Sequence, residues 1–204
     1  MLLDLDEQSP GQIYHTMTQS LIPRPVAWVL SENPEGNFNL APFSYFTAVT
    51  SDPPLILISA GKKADGSPKD TRGNILARQH FVVHIGSSHQ AGVMTETARP
   101  LPLGDSELEA TGLATVPFDG FPLPRLADAP VAMACELYQE QTIGPKEQSL
   151  IFGRVRRIYL NDEVASVDGD GRLRVDALKV DPLARLGADE YATLGRVLHV
   201  PRPR

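Results

Sequence analysis

Cysteine is nearly missing: Cys135 is the only one in 204 residues. That excludes a disulfide framework and a zinc site built on thiolates. An excess of positive charge is missing too. Nineteen Lys and Arg stand against 25 Asp and Glu, a net charge of -6, whereas phosphate backbones select a basic face, so nucleic acid is not an expected partner. No window approaches the roughly 18–20 continuous apolar residues of a membrane span. The opening Met1-Leu2-Leu3-Asp4-Leu5-Asp6-Glu7 is acidic and lacks the basic and apolar segments of a signal peptide. With the single Cys, this sets a cytoplasmic expectation. There is no internal repeat. The basic tail Pro201-Arg202-Pro203-Arg204 is too short to read as a nucleic-acid arm.

Several chemical signatures are absent as well. Gly169-Asp170-Gly171 has no third glycine opening a helix, which removes the dinucleotide fingerprint. Gly61-Lys62 lacks the upstream glycine of a P-loop, and no Gly-x-Ser-x-Gly elbow occurs. Asp168 to Gly171 lacks the later ligands of a calcium loop, so it reads as a surface turn. His80 and His84 lie two pleats apart on one strand face without matching carboxylates, so no metal site is expected. Cys135, inside Val131-Ala132-Met133-Ala134-Cys135, reads as a buried small hydrophobe rather than a nucleophile.

What is abundant is proline: 18 prolines beside 16 glycines, against an average proline share near 5%. Proline removes a helical donor and clashes with the preceding turn, so long helices cannot dominate. With 42% hydrophobic residues, the chain can still bury a core, and its length fits one domain spanning 1–204. Val26–Leu30 and Phe38–Ala41 flank Asn33-Pro34-Glu35-Gly36 and predict a hairpin. Strands are expected at Tyr45–Ser51, at Leu55–Ala60 (a central one), at Phe81–Ile85, and as a long pair at Val131–Gln141 and Leu150–Leu160. A weak turn or helix is expected over 11–18, a helix capped by Asp70 or Thr71 runs to about Gln79, and shorter helices follow at Gln90–Ala98 and after Ser106. The sum is a mainly β fold, a small barrel with a few peripheral short helices.

Two stretches carry chemistry. In Asn39-Leu40-Ala41-Pro42-Phe43-Ser44-Tyr45-Phe46, Pro42 is expected to interrupt a strand ladder and free backbone groups for a planar heterocycle. Read alone, the stretch is better explained as a bulged barrel strand without a ligand. In the second, a loop containing Lys62, Lys63, Ser67 and Lys69 leads into a helix N-terminus at Asp70-Thr71. Such termini bind phosphate through unpaired amides and a positive dipole end. Alone, a solvated basic loop explains it about as well. Together they describe a ring platform and a phosphate cradle one strand later, the two ends of a mononucleotide.

These blocks, with Pro23-Arg24-Pro25-Val26-Ala27-Trp28-Val29, Asp52-Pro53-Pro54 and Asn74-Ile75, resemble the flavin reductase-like family, which includes flavoredoxin. The similarity continues through Phe152-Gly153-Arg154-Val155 to Pro182-Leu183-Ala184-Arg185-Leu186-Gly187 and Tyr191. The resemblance implies an FMN-binding split β-barrel, a homodimer with FMN near its interface, and NADH or NADPH as electron donor. It implies that Asn39, Ala41, Pro42, Phe43 and Ser44 line the ring, and that Lys69, Thr71 and Asn74 hold the phosphate end. Arg24, Ser59 and Lys62 are the outlying members of this set. No side chain is expected to act as catalytic acid or base, because hydride chemistry belongs to the flavin.

The expected function is therefore an NAD(P)H-dependent flavin reductase, with a monooxygenase among its conceivable partners. The alternatives are a non-enzymatic FMN electron carrier and a barrel that binds no flavin. Three positions depart from the family pattern. Related proteins often carry His at Asp181, Gly-Gly at Gly187-Ala188 and Asn at His84, departures that bear on the substrate rather than the flavin.

Overall fold

The computed structural model describes residues 1–204 apart from 103, 202 and 204, so the arginines of the basic tail lie outside the described residues. Helix α1 spans Pro10–Ser20, longer than the weak turn or helix expected there. A capping box explains it: Ser9 Oγ accepts the Gln12 amide and Gln12 Oε1 accepts the Ser9 amide. Pro10 sits at the first helical position, where its missing N–H costs nothing.

The chain continues through β1 (Arg24–Pro25), β2 (Ala27–Glu32), β3 (Phe38–Phe43), β4 (Phe46–Ser51), β5 (Pro54–Ala60), α2 (Asp70–Arg78) and β6 (His80–Ile85). Then come α3 (Ala91–Glu96), α4 (Glu107–Thr111), β7 (Thr115–Val116), β8 (Arg125–Leu126), β9 (Val131–Ile143) and β10 (Gln148–Leu160). Last are β11 (Ala165–Val167), β12 (Leu173–Val175), α5 (Ala177–Val180), β13 (Ala184–Arg185) and β14 (Tyr191–Ala192).

Seven strands form one antiparallel sheet in the order β3-β2-β6-β9-β10-β5-β4. Its two edges, β3 and β4, are consecutive in sequence and separated only by Ser44 and Tyr45. A flat sheet of seven strands would hold its edges about 29 Å apart, at the usual spacing of about 4.8 Å. A two-residue link reaches only about 11 Å. The sheet must therefore curl until its edges nearly meet, and the result is a barrel left open at the β3–β4 seam. The Ser59 amide donates to the Tyr45 carbonyl across this corner at 2.8 Å.

Three expectations change here. Pro42 does not interrupt β3, whose pairing runs unbroken from Phe43 opposite Ala27 to Phe38 opposite Glu32, with Pro42 opposite Trp28. On an edge strand alternate amides face away from the ladder, so a missing donor is tolerated. The residue capping α2 is Lys69, not Asp70 or Thr71, and no side chain caps that end. Strand β5 is paired on both sides but lies next to the edge, not at the centre.

Strand β2 is apolar on both faces because both are covered. Val26, Trp28 and Leu30 pack outward with Leu40, Val82 and Met94 under the peripheral helices. Ala27 and Val29 face inward with Phe43, Ile58, Ile75, Phe81 and Cys135. Cys135 is fully buried there, and desolvation pushes its thiol up, away from nucleophilic character. Gly153 makes room for this interior: a Cβ on it would stand 2.4 Å from the Phe81 ring.

His84 is also fully buried and ties three elements together. Its Nδ1 lies 3.0 Å from the Trp28 carbonyl, and its Nε2 accepts the Leu126 amide at 3.0 Å. A carbonyl can only accept and an amide only donate, so the imidazole is neutral with its proton on Nδ1. Burial, followed by the opposing Trp28 bond and the charge of Arg125, leaves its pKa at about 4.

Candidate functional site

The β3–β4 corner opens onto a cavity of about 660 Å³ lined by Pro42, Phe43, Ser44, Ser59, Lys62 and Lys69. The curl of the sheet brings these together from β3, β5 and the loop before α2. Tyr14 of α1, Tyr45, Gly61, Ile143 and Gln148 complete the wall. Tyr45 belongs to the stretch the sequence singled out; Tyr14, Ile143 and Gln148 were missed because their placement depends on non-local packing. Only the register of β9 against β10, with Ile143 opposite Gln148, carries that hairpin tip over the site. Gln148 Nε2 donates to Ser59 Oγ at 2.9 Å, fixing the tip to β5.

A second cavity of about 530 Å³ shares Tyr14, Pro42 and Ser44 with the first and runs on to Arg24, Arg185 and Tyr191. The two form one groove along the seam. Arg24 is buried and stitches the far wall: its Nη1 donates to the carbonyls of Thr18 (2.7 Å) and Leu21 (2.5 Å), and its Nη2 donates to that of Leu186 (2.7 Å). Its Nε lies 3.4 Å from Ser44 Oγ.

Asn39, Thr71 and Asn74 sit elsewhere than the groove. All three are buried. Asn39 Nδ2 donates to Thr71 Oγ1 (2.9 Å), while Asn74 Nδ2 donates to Asn33 Oδ1 (2.8 Å) and Ser31 Oγ (3.2 Å). This network pins the first turns of α2 to β2 and β3. Ala41 packs against the inner core opposite Val29.

The three lysines of the loop differ. Lys62 pairs with Glu147, and Lys63 pairs with both oxygens of Asp70 at 2.7 and 2.8 Å. Lys69 meets no carboxylate within 4 Å among the described residues. Its ammonium lies 5.2 Å from the centre of the Phe43 ring, and burial lowers its pKa. Among the described residues, no acceptor meets the amides of Asp70 and Thr71 at the head of α2. Lys69 thus combines a half-buried cation with an open helix terminus at the rim of the cavity. That donor set suits a phosphate.

Among the described residues, no group of three His, Cys, Asp or Glu side chains could hold a metal. No described helix is long and apolar enough to cross a membrane.

An antiparallel sheet curled into an open barrel, with a groove along the opening, defines a split barrel. A solved split-barrel domain from Shewanella frigidimarina NCIMB 400 shares this fold with a TM-score of 0.83 at 19% identity, all of both chains aligned. Nitrilotriacetate monooxygenase component B from Bacillus cereus matches at TM-score 0.89 and 34% identity over 98% of each chain. The 2-nitrobenzoate 2-nitroreductase of Pseudomonas fluorescens matches at 0.87 and 31% over 100% of this chain and 96% of that one. The family model for the flavin reductase-like domain covers residues 18–175. The chain belongs to the flavin reductase-like family.

Proposed function

We propose that this chain, as one domain over 1–204, is an FMN-dependent oxidoreductase reduced by NADH or NADPH, with the flavin ring against Pro42–Ser44. The observation that carries the reading is the groove itself: an apolar corner at Pro42 and Phe43, polar groups at Ser44 and Ser59, and an uncompensated Lys69 at one end. Bound FMN supplies the hydride and electron chemistry. The chain's own groups bind and orient it. Phe43 and Pro42 give a flat apolar wall, while Lys69 and the amides of Asp70 and Thr71 face the phosphate end. Asn39, Thr71 and Asn74 act one layer back, holding α2 in position. Ser44 is held by Arg24 at the ring edge, where donors stabilise negative charge on a reduced ring.

A homodimer is part of this reading. Tyr14, Met17, Leu21 and Ile22 form an exposed apolar strip along and just beyond α1, beside the groove, where a second copy would cover it. The similarity to a monooxygenase component B suggests a monooxygenase partner for the reduced flavin.

The test is a visible absorption spectrum of the purified protein with an FMN titration. A yellow protein, or saturable FMN binding, supports the proposal, and a colourless protein indifferent to FMN would sink it. NAD(P)H consumption with FMN as sole acceptor then separates the reductase from an electron carrier: tight binding without turnover favours the carrier.

A further inference from the structure

At the Arg24 end of the groove, neither Arg24 nor Arg185 meets a carboxylate within 4 Å among the described residues. Arg24 is only 5% exposed. Its partners use four of its five N–H groups, on three backbone carbonyls and one hydroxyl, which leaves one N–H on Nη2. Arg185 faces the same cavity, stacked 4.7 Å from the centre of the Tyr191 ring. Its Nη1 lies 3.4 Å from the Glu190 carbonyl, and its Nη2 donates to that of Ala188. Asp189 also lines the cavity, but among the described residues it comes within 4 Å of neither guanidinium. Elsewhere the protein does neutralise such groups, since Arg72 donates through Nε and Nη2 to Glu140. A guanidinium bound only to neutral oxygens retains its net charge, and its planar fork matches an incoming carboxylate.

We propose that this cavity is a subsite for the carboxylate of a small aromatic acid, bound by Arg185 and by the remaining Arg24 N–H. The rings of Tyr14 and Tyr191 flank the body of the acid, and Ser44 marks the border with the flavin platform. Arg24 lies too deep for the phosphates of a dinucleotide, which could reach only the partly exposed Arg185. Placing the acid beside a flavin rests on the function proposed above. The carboxylate site itself does not.

The experiment is calorimetric titration of the purified full chain with benzoate and with its neutral isostere benzamide, at low and high salt. Benzoate is expected to bind about tenfold more tightly than benzamide at low salt, with the advantage shrinking as salt rises. Arg185→Gln should remove that advantage and leave FMN affinity unchanged, and Arg185→Lys should restore part of it. Equal affinities for the two ligands, or an unaltered preference in Arg185→Gln, overturn the proposal. So does a variant that loses NADH or NADPH affinity while neither protein prefers benzoate, which would assign Arg185 to a dinucleotide phosphate. Parallel FMN titrations keep the two readings apart: benzoate preference without FMN binding upholds the subsite and sinks the flavin platform.

Discussion

The two ends of the groove hold their positive charge in opposite ways. At the lysine end, Lys62 and Lys63 are paired with Glu147 and Asp70, and only Lys69 meets no carboxylate among the described residues. At the arginine end, Arg24 and Arg185 are bound to neutral oxygens, backbone carbonyls for both and the Ser44 hydroxyl for Arg24. Paired surface lysines contribute little to stability. A buried arginine on carbonyls is both a structural cross-link and an electrostatic demand. Positive charge in a groove is therefore a poor guide to ligand binding until its counter-charges have been identified.

The strongest way to break the contrast is Arg24→Ala. It would orphan the carbonyls of Thr18, Leu21 and Leu186, at about 1–3 kcal/mol each before relaxation. The expected loss is about 3–5 kcal/mol in urea unfolding. A loss as small as that of Lys62→Ala would show that the two ends do not differ.

Acid probes the interior away from both ends. In the unfolded chain His84 takes up its proton near pH 6.5, as an ordinary histidine does, while in the folded protein it resists until about pH 4. Between those values the unfolded state holds more protons, so stability falls as pH drops from about 6.5 to 4, by up to about 3 kcal/mol. His84→Gln should flatten that part of the pH–stability curve, measured by denaturant midpoint at each pH.

Lys69→Ala sharpens the contrast within the lysine end. It should weaken FMN by about 1.5–3 kcal/mol, the worth of a charge-assisted hydrogen bond, and riboflavin far less. Equal losses for both ligands would remove Lys69 from the phosphate. Lys62→Ala, whose ion pair is exposed, should change stability by less than about 1 kcal/mol.

The smallest effect concerns the arginine end's loop. Ala188 has φ +48°, backbone that favours glycine, and it supplies the carbonyl that receives Arg185. Ala188→Gly should stabilise the protein by up to about 1 kcal/mol in thermal unfolding, because it relieves that strain. Destabilisation would show that the added chain entropy outweighs the strain. The other departure in this region is accommodated locally: Asp181 accepts the Ser88 hydroxyl through its side chain and the Ser88 amide through its carbonyl.

Much of the fold was legible because its signals are local. Alternating or continuous apolar runs and the Asn33–Gly36 turn marked the main strands and the β2–β3 hairpin, while the Asp168–Gly171 turn was legible as a turn but not as the hairpin it closes. Short elements such as β7, β8 and α5 were not legible, since two to four residues carry no periodicity. The same split runs through the site. Pro42, Phe43, Ser44, Ser59, Lys62 and Lys69 do meet in one cavity. Asn39, expected at the ring, and Thr71 and Asn74, expected at the phosphate, instead bond one another and their neighbours in the interior.

By itself, the sequence determined the class of fold, the family, and the two segments between which the groove forms. Proline placement, turn residues and apolar patterning act within a few residues, and they suffice for that. Tertiary structure alone decided which side chains reach the groove and which cations retain their charge. Closing a seven-stranded sheet at a two-residue corner brings Tyr14, Gln148, Arg185 and Tyr191 to β3 from distant parts of the chain. Burial and counter-charge are properties of that closure, and no local pattern encodes them.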